Sequence, residues 1–214
     1  MKKETANFIL FYYSDDTQDI NEIATVLENN FERITGLLGV VPPNKTHVHI
    51  YASQADFHQA IGRPNAEAWV VGTVMEGEIH IVSPSNPGPD FGRDDIMGIA
   101  IHEFVHIVAN VLNLHTSHNR PYLSEGLATY LAGQASPLDA DMEVPNAGTI
   151  ISPNEGDFVY QVGFAFMQFI AAKFGDDALV ALYKDPDAFA KNNTELDAMW
   201  LDACNSNKKN NPTP

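Results

Sequence analysis

Apolar positions recur along this chain with a period of two in its first part and a period near 3.6 in its second. "NFILFYYS" (7–14) is a dense apolar run, which predicts a first strand. "TQDINEIATVLENNFERITGLLG" (17–39) repeats Ile20, Ile23, Leu27, Phe31 and Ile34 at helical spacing, with Gly36 or Gly39 as the stop. After Pro42 and Pro43, "THVHIYAS" (46–53) alternates Val48 and Ile50 with His47 and His49, so a half-buried strand is predicted with both histidines on its polar face as plain exposed residues. "SQADFHQAIG" (53–62) predicts a short capped helix, and "AWVVGTVMEGEIHIVSP" (68–84) two strands joined near Glu76 and Gly77.

The proline- and glycine-rich "SPSNPGPDFGRDD" (83–95) is the clearest break. Beyond it the pattern is helical: 95–113, then 121–132 closed by Gly133, 156–174 closed by Gly175, 176–184, and 194–204 capped by Thr194. Residues 134–155 have no sustained period, and an irregular stretch of that length is a candidate wall of a substrate groove. The pattern predicts an α+β fold: a mixed-sheet lobe over about 1–93, a helical lobe over about 94–204, together one domain over 1–204, and a polar tail over 205–214.

With 214 residues and 44% hydrophobic content the chain can bury a real core. Its formal charge of −16 leaves no basic stripe for phosphates, so nucleic acid is excluded as a partner. The pairs Asp15-Asp16, Asp94-Asp95 and Asp176-Asp177 read as solvated faces or helix starts. Cys204 stands alone, so there is no disulfide framework. Lys2 and Lys3 precede an apolar run too short for a signal peptide and without a small-residue cleavage site, which points to the cytoplasm, or to secretion if a leader is trimmed. No run approaches the roughly 18 apolar residues of a membrane span.

Against this background "AIHEFVHIVAN" (100–110) stands out, because burying His102, Glu103 and His106 costs several kcal/mol unless each finds a partner. On a helix, residues four apart share a face with Cβ atoms about 5–6 Å apart, so both histidines can reach one ion. Glu103 points aside, where it can accept a proton from a water next to that ion. The pattern is HExxH, short enough to arise by chance, and a catalytic zinc needs a third protein ligand. Candidates downstream are His115, His118 and Glu125. The HExxHxxGxxH arrangement is excluded by Ala109 and Leu112. His115 and His118 lie in a turn-like stretch, whereas Glu125 sits on a new helix opened by Pro121, with Gly126 beside it for close backbone approach.

The HExxH-x18-E spacing, with "SEGLA" (124–128), resembles the gluzincin metallopeptidases of the aminopeptidase N-like branch. The order of "HEFVHIVA", "PYLSEGLATYLAG", "YQVGFAFMQFIAAKFG" and the late Trp200 resembles the small bacterial peptidase MA-like proteins more closely, over roughly residues 45–203. The resemblance implies a zincin-like fold with an active-site cleft between sheet and helical lobes, Zn²⁺ held by His102, His106 and Glu125, Glu103 as general base, and hydrolysis of a peptide or protein substrate. Tyr160 matches a recurrent tyrosine and becomes the first candidate for stabilising the oxyanion, with Tyr130, Arg120 and His80 as weaker ones. Thr129 stands where thermolysin-like enzymes carry a histidine-orienting Asp. "GTVMEGE" only distantly echoes the aminopeptidase "GxMEN", which favours endopeptidase-like cleavage.

Phe158, Phe164, Phe166 and Phe169 are expected as plain core. An extended substrate could pair with an edge strand from "WVVGTVM" or "GEIHIVS". The alternative to a peptidase is an inactive zincin-fold module that binds peptides or a partner protein, against which retention of Glu103 argues.

Overall fold

The computed structural model describes residues 1–13, 17–139, 141–154 and 156–210, so the Asp15-Asp16 pair and the last four residues lie outside the described part. Two compact units are distinguished, Met1–Val111 and Leu112–Pro214.

The first unit contains β1 (Lys2–Glu4), β2 (Phe8–Tyr12), α1 (Thr17–Leu38), β3 (Thr46–Tyr51), α2 (Gln54–Ala60), β4 (Gly72–Met75), β5 (Glu78–Val82) and most of α3 (Arg93–Asn119). The strands form one sheet in the order β1-β2-β3-β5-β4. The central three run parallel, and β1 and β4 are antiparallel edges. Parallel neighbours need a crossover, and α1 provides it between β2 and β3. Alternation sends Phe8, Leu10, Val48, Ile50, Ile79 and Ile81 to one face, where all are fully buried. On that face Phe8, Phe31 of α1 and Phe104 of α3 form an aromatic cluster with centroids 5.0–5.9 Å apart.

Local signals account for most boundaries. Gly39 (φ +68°) follows the last residue of α1, and Ser53 caps α2 by accepting from the Asp56 amide. The β4–β5 turn places Glu76 (φ 54°) and Gly77 (φ 80°) both left-handed, as a two-residue hairpin turn requires. The start of α3 is held by an ion pair that no local pattern reveals. Buried Asp19 of α1 accepts from the Ser83 hydroxyl (2.9 Å) and the Ser85 amide (3.0 Å) and pairs with Arg93, which also binds Glu22 at 2.6 Å.

The second unit is helical: the last turns of α3, then α4 (Pro121–Ala132), α5 (Ala147–Ile151), α6 (Val159–Phe174), α7 (Asp176–Lys184), α8 (Pro186–Asn192) and α9 (Leu196–Asn210). The architecture is therefore α+β with a mixed five-stranded sheet, as the pattern predicts. α3 bends at Asn113, whose backbone is extended (φ −160°, ψ 95°). The Asn113 side chain caps the segment beyond the bend, accepting from the amides of His115 (3.1 Å) and Thr116 (3.2 Å). "NLHTSHN" is thus helical past Asn113 rather than a turn. By length and composition α3 is the one helix among the described residues that could cross a membrane, although half of its apolar stretch is buried within the protein.

Trp200 packs against Phe166 and Phe169 (5.2 and 5.5 Å between centroids) and donates its indole N–H to Pro145 O (2.9 Å), anchoring the irregular 134–155 stretch to the helical core. That stretch contains α5, capped by Asn146. Phe166 is core as expected, but Phe158 is exposed, because it occupies the left-handed N-cap of α6. The residues up to Asn210 in the expected polar tail continue α9.

Candidate metal centre

On α3, Ile101, Phe104, Val105 and Val108 turn into the apolar interior, while His102 and His106 lie on one face a turn apart. Their Nε2 atoms approach to 3.1 Å, with the rings edge to face at 4.8 Å. Two imidazole nitrogens each bound to one tetrahedral zinc stand roughly 3.3 Å apart, so the pair already has the spacing such an ion requires. His102 is buried and His106 half-buried.

Glu103 is buried in the same turn. Its position depends on a residue the sequence pattern does not single out. Gly72, at the start of β4, lies so near that a Cβ there would fall 2.9 Å from Glu103 Oε1 and 2.5 Å from Ile99 Cγ2. The glycine is needed for the space it leaves. In the sequence it is the glycine that opens "GTVMEGE", and a glycine within a strand often marks close approach of another group.

Glu125 is half-buried in the first turns of α4. Each of His102, His106 and Glu125 offers one ligand atom, a ring nitrogen or a carboxylate oxygen. Two imidazoles and one carboxylate match the donor set of a catalytic zinc. His115 and His118, the other candidates, are exposed on the segment beyond the Asn113 bend.

Gly126, next to Glu125, behaves as anticipated. A Cβ there would lie 2.5 Å from the carbonyl carbon and oxygen of Gly163 in α6, and one at Gly163 would collide with the Tyr122 carbonyl. α4 and α6 therefore cross backbone to backbone. Thr129 is buried, and its hydroxyl has no hydrogen-bond partner among the described residues, so it orients no histidine there.

Tyr160 lies in the first turn of α6, 41% exposed. Tyr130 packs against Phe164 at 6.2 Å. Arg120 is buried and committed to structure: its guanidinium donates to Ile151 O and to the Asp187 carboxylate (3.1 and 3.2 Å), tying α4 to α5 and α8. His80 belongs to the sheet face opposite the one that packs on Phe104, since its neighbours Ile79 and Ile81 line the latter. Tyr183 of α7 was not anticipated. It is fully buried, and its hydroxyl meets Ser117 Oγ at 2.7 Å. Burial pushes its pKa up to about 12, against the pull of hydrogen bonds from Ser117 and Ser124 and with a further push from the Glu125 charge.

No known family's sequence profile matches the chain, and no curated protein matches it.

Proposed function

We propose that the protein is a zinc-dependent peptidase in which His102, His106 and Glu125 hold the ion and Glu103 is the general base. The observation that carries this reading is the pair of His102 and His106 with Nε2 atoms 3.1 Å apart, on one helical turn with the buried Glu103. Zinc bound there would supply a Lewis acid for the scissile carbonyl and would acidify a water.

The remaining work falls to the chain's own groups. Glu103 accepts the proton of the attacking water at its carboxylate and passes it to the leaving amine. The space beside Gly72 lets that carboxylate sit against the sheet without a competing side chain. β4 is the edge strand of the sheet whereas β5 is enclosed, so of the two segments considered it is β4 that can pair with an extended substrate backbone. Tyr160, a partly exposed residue at the head of α6, is the group proposed to meet the developing oxyanion.

The test is to measure zinc in protein purified without added metal, and cleavage of unfolded protein substrates before and after chelation. Bound zinc that is lost from a His102→Ala/His106→Ala variant, with chelator-sensitive cleavage, supports the reading. Undiminished cleavage by metal-free protein would overturn it.

A further inference from the structure

The sheet face turned away from Phe104 carries a second convergence of ligating groups. Alternation along β3 and β5 puts His47, His49, Glu78 and His80 there, together with Phe11, Tyr13 and Tyr51. Phe11, His49 and His80 lie in one row across three strands. Their rings stack: Phe11 on His49 at 4.9 Å and 15°, His49 on His80 at 4.7 Å and 8°. Tyr51 stacks on His80 and Tyr13 on Tyr51, at 5.9 and 5.4 Å.

Glu78 is the hub. Its Oε1 meets His47 Nδ1 at 2.6 Å and its Oε2 meets His49 Nε2 at 2.8 Å. His80 is buried. The Tyr51 hydroxyl contacts His80 Nδ1 at 2.9 Å, leaving Nε2 as the ligating atom. One ligand atom from each of His49, Glu78 and His80 lies within 4.8 Å of the others.

We propose that His49, Glu78 and His80 form a second metal site on the outer face of the sheet, for a divalent transition ion such as Zn²⁺, Co²⁺ or Ni²⁺, with Tyr51 orienting His80 and His47 orienting Glu78. Two imidazoles select against Mg²⁺ and Ca²⁺, which take oxygen donors. Binding draws the three atoms to separations of roughly 3.3 Å, and the half-buried side chains of His49 and Glu78 can turn to provide it. The ion would clamp β3 to β5, neighbouring parallel strands that no short turn connects. This site involves none of the residues of the α3–α4 group and does not depend on the protein being a peptidase.

The experiment is Zn²⁺ and Co²⁺ titration, by calorimetry and visible absorption, of a His102→Ala/His106→Ala variant, which removes both α3 ligands. One equivalent of ion is expected to remain bound and to raise the melting temperature. In the same background His80→Phe, which keeps the ring stack, should abolish that binding, Glu78→Gln should weaken it at least tenfold, and Tyr51→Phe should weaken it about tenfold with little change in metal-free melting temperature. If His80→Phe does not fold, Glu78→Gln and Tyr51→Phe carry the test. The proposal is overturned if the folded His102→Ala/His106→Ala protein binds no ion, or if its ion survives these substitutions with unchanged affinity.

Discussion

Gly72 of β4 and Glu103 of α3 are in such close contact that a Cβ at Gly72 would lie 2.9 Å from the glutamate Oε1, so any larger residue there must displace a neighbouring side chain. Gly72→Ala is expected to push the Glu103 carboxylate or the Ile99 side chain aside. Because a misplacement near 1 Å can cost about a hundredfold, kcat should fall by 10- to 100-fold. Zinc content should stay at the native level, since Gly72 offers no ligand. Activity and metal content measured on the same sample check this; native kcat in a folded Gly72→Ala protein would separate Gly72 from the chemistry.

Ligand and base should fail differently. Glu103→Gln keeps the size of the side chain and both histidines, so zinc should bind as before while turnover falls by roughly 10² to 10⁴. Glu125→Ala removes one of the three proposed ligands, so it should lose metal affinity itself. Metal analysis after dialysis against a weak chelator distinguishes the two. Retained wild-type turnover in Glu103→Gln would require a different base.

Two tyrosines of the second unit offer a matched pair. Tyr160 is 41% exposed, so Tyr160→Phe should cost little stability, yet if its hydroxyl meets the oxyanion kcat should fall about 10² with KM and zinc content almost unchanged. Tyr183 is fully buried against Ser117, so Tyr183→Phe should lower stability by about 1–3 kcal/mol with a much smaller effect on kcat. Melting curves and kinetics of both variants form the test. A Tyr160→Phe enzyme with native kcat would remove the tyrosine from the mechanism.

The pH dependence of stability should contain a component from Glu28 of α1. Burial opposes its charge, but its carboxylate accepts from the Asn7 amide (2.8 Å) and the Asn7 side chain (2.7 Å), and with Thr5 and Ala6 these hold its pKa below the ordinary value. A depressed folded-state pKa means the unfolded chain takes up the proton first. The contribution is therefore complete above about pH 4.5 and is lost as pH falls through the folded-state value. Glu28→Gln should flatten the denaturation profile in that acid range and leave its slope near neutrality unchanged.

What the sequence reveals depends on how local each signal is. α1, the Ser53 cap, the Glu76-Gly77 turn and the Pro121 start with its Gly133 stop are specified by residues within a few positions of one another, and each is found where its pattern puts it. The His102–His106 pair is legible for the same reason, being one turn of one helix. β1 has only three residues and owes its existence to pairing with β2, so no periodicity announces it. α5 and α8 are short helices capped by Asn146 and Asp185, below the length at which a period can be read. In the sequence His47 and His49 look like plain polar residues, because their partner Glu78 comes 29 to 31 positions later, on a strand brought alongside only by the fold. Gly72 against Glu103 and Asp19 with Arg93 are long-range in the same sense.

The glycine-on-glycine crossing of α4 and α6 bears on how firmly Glu125 can be held. Where helices meet through side chains, rotamer changes let one slide slightly over the other, whereas Gly126 and Gly163 bring two main chains together and neither can yield. The carboxylate is carried one residue from that fulcrum, so its reach is gauged against the rigid body of α6 rather than against the irregular chain that precedes it. Thermal agitation should therefore blur the far end of α4 sooner than the turn bearing Glu125.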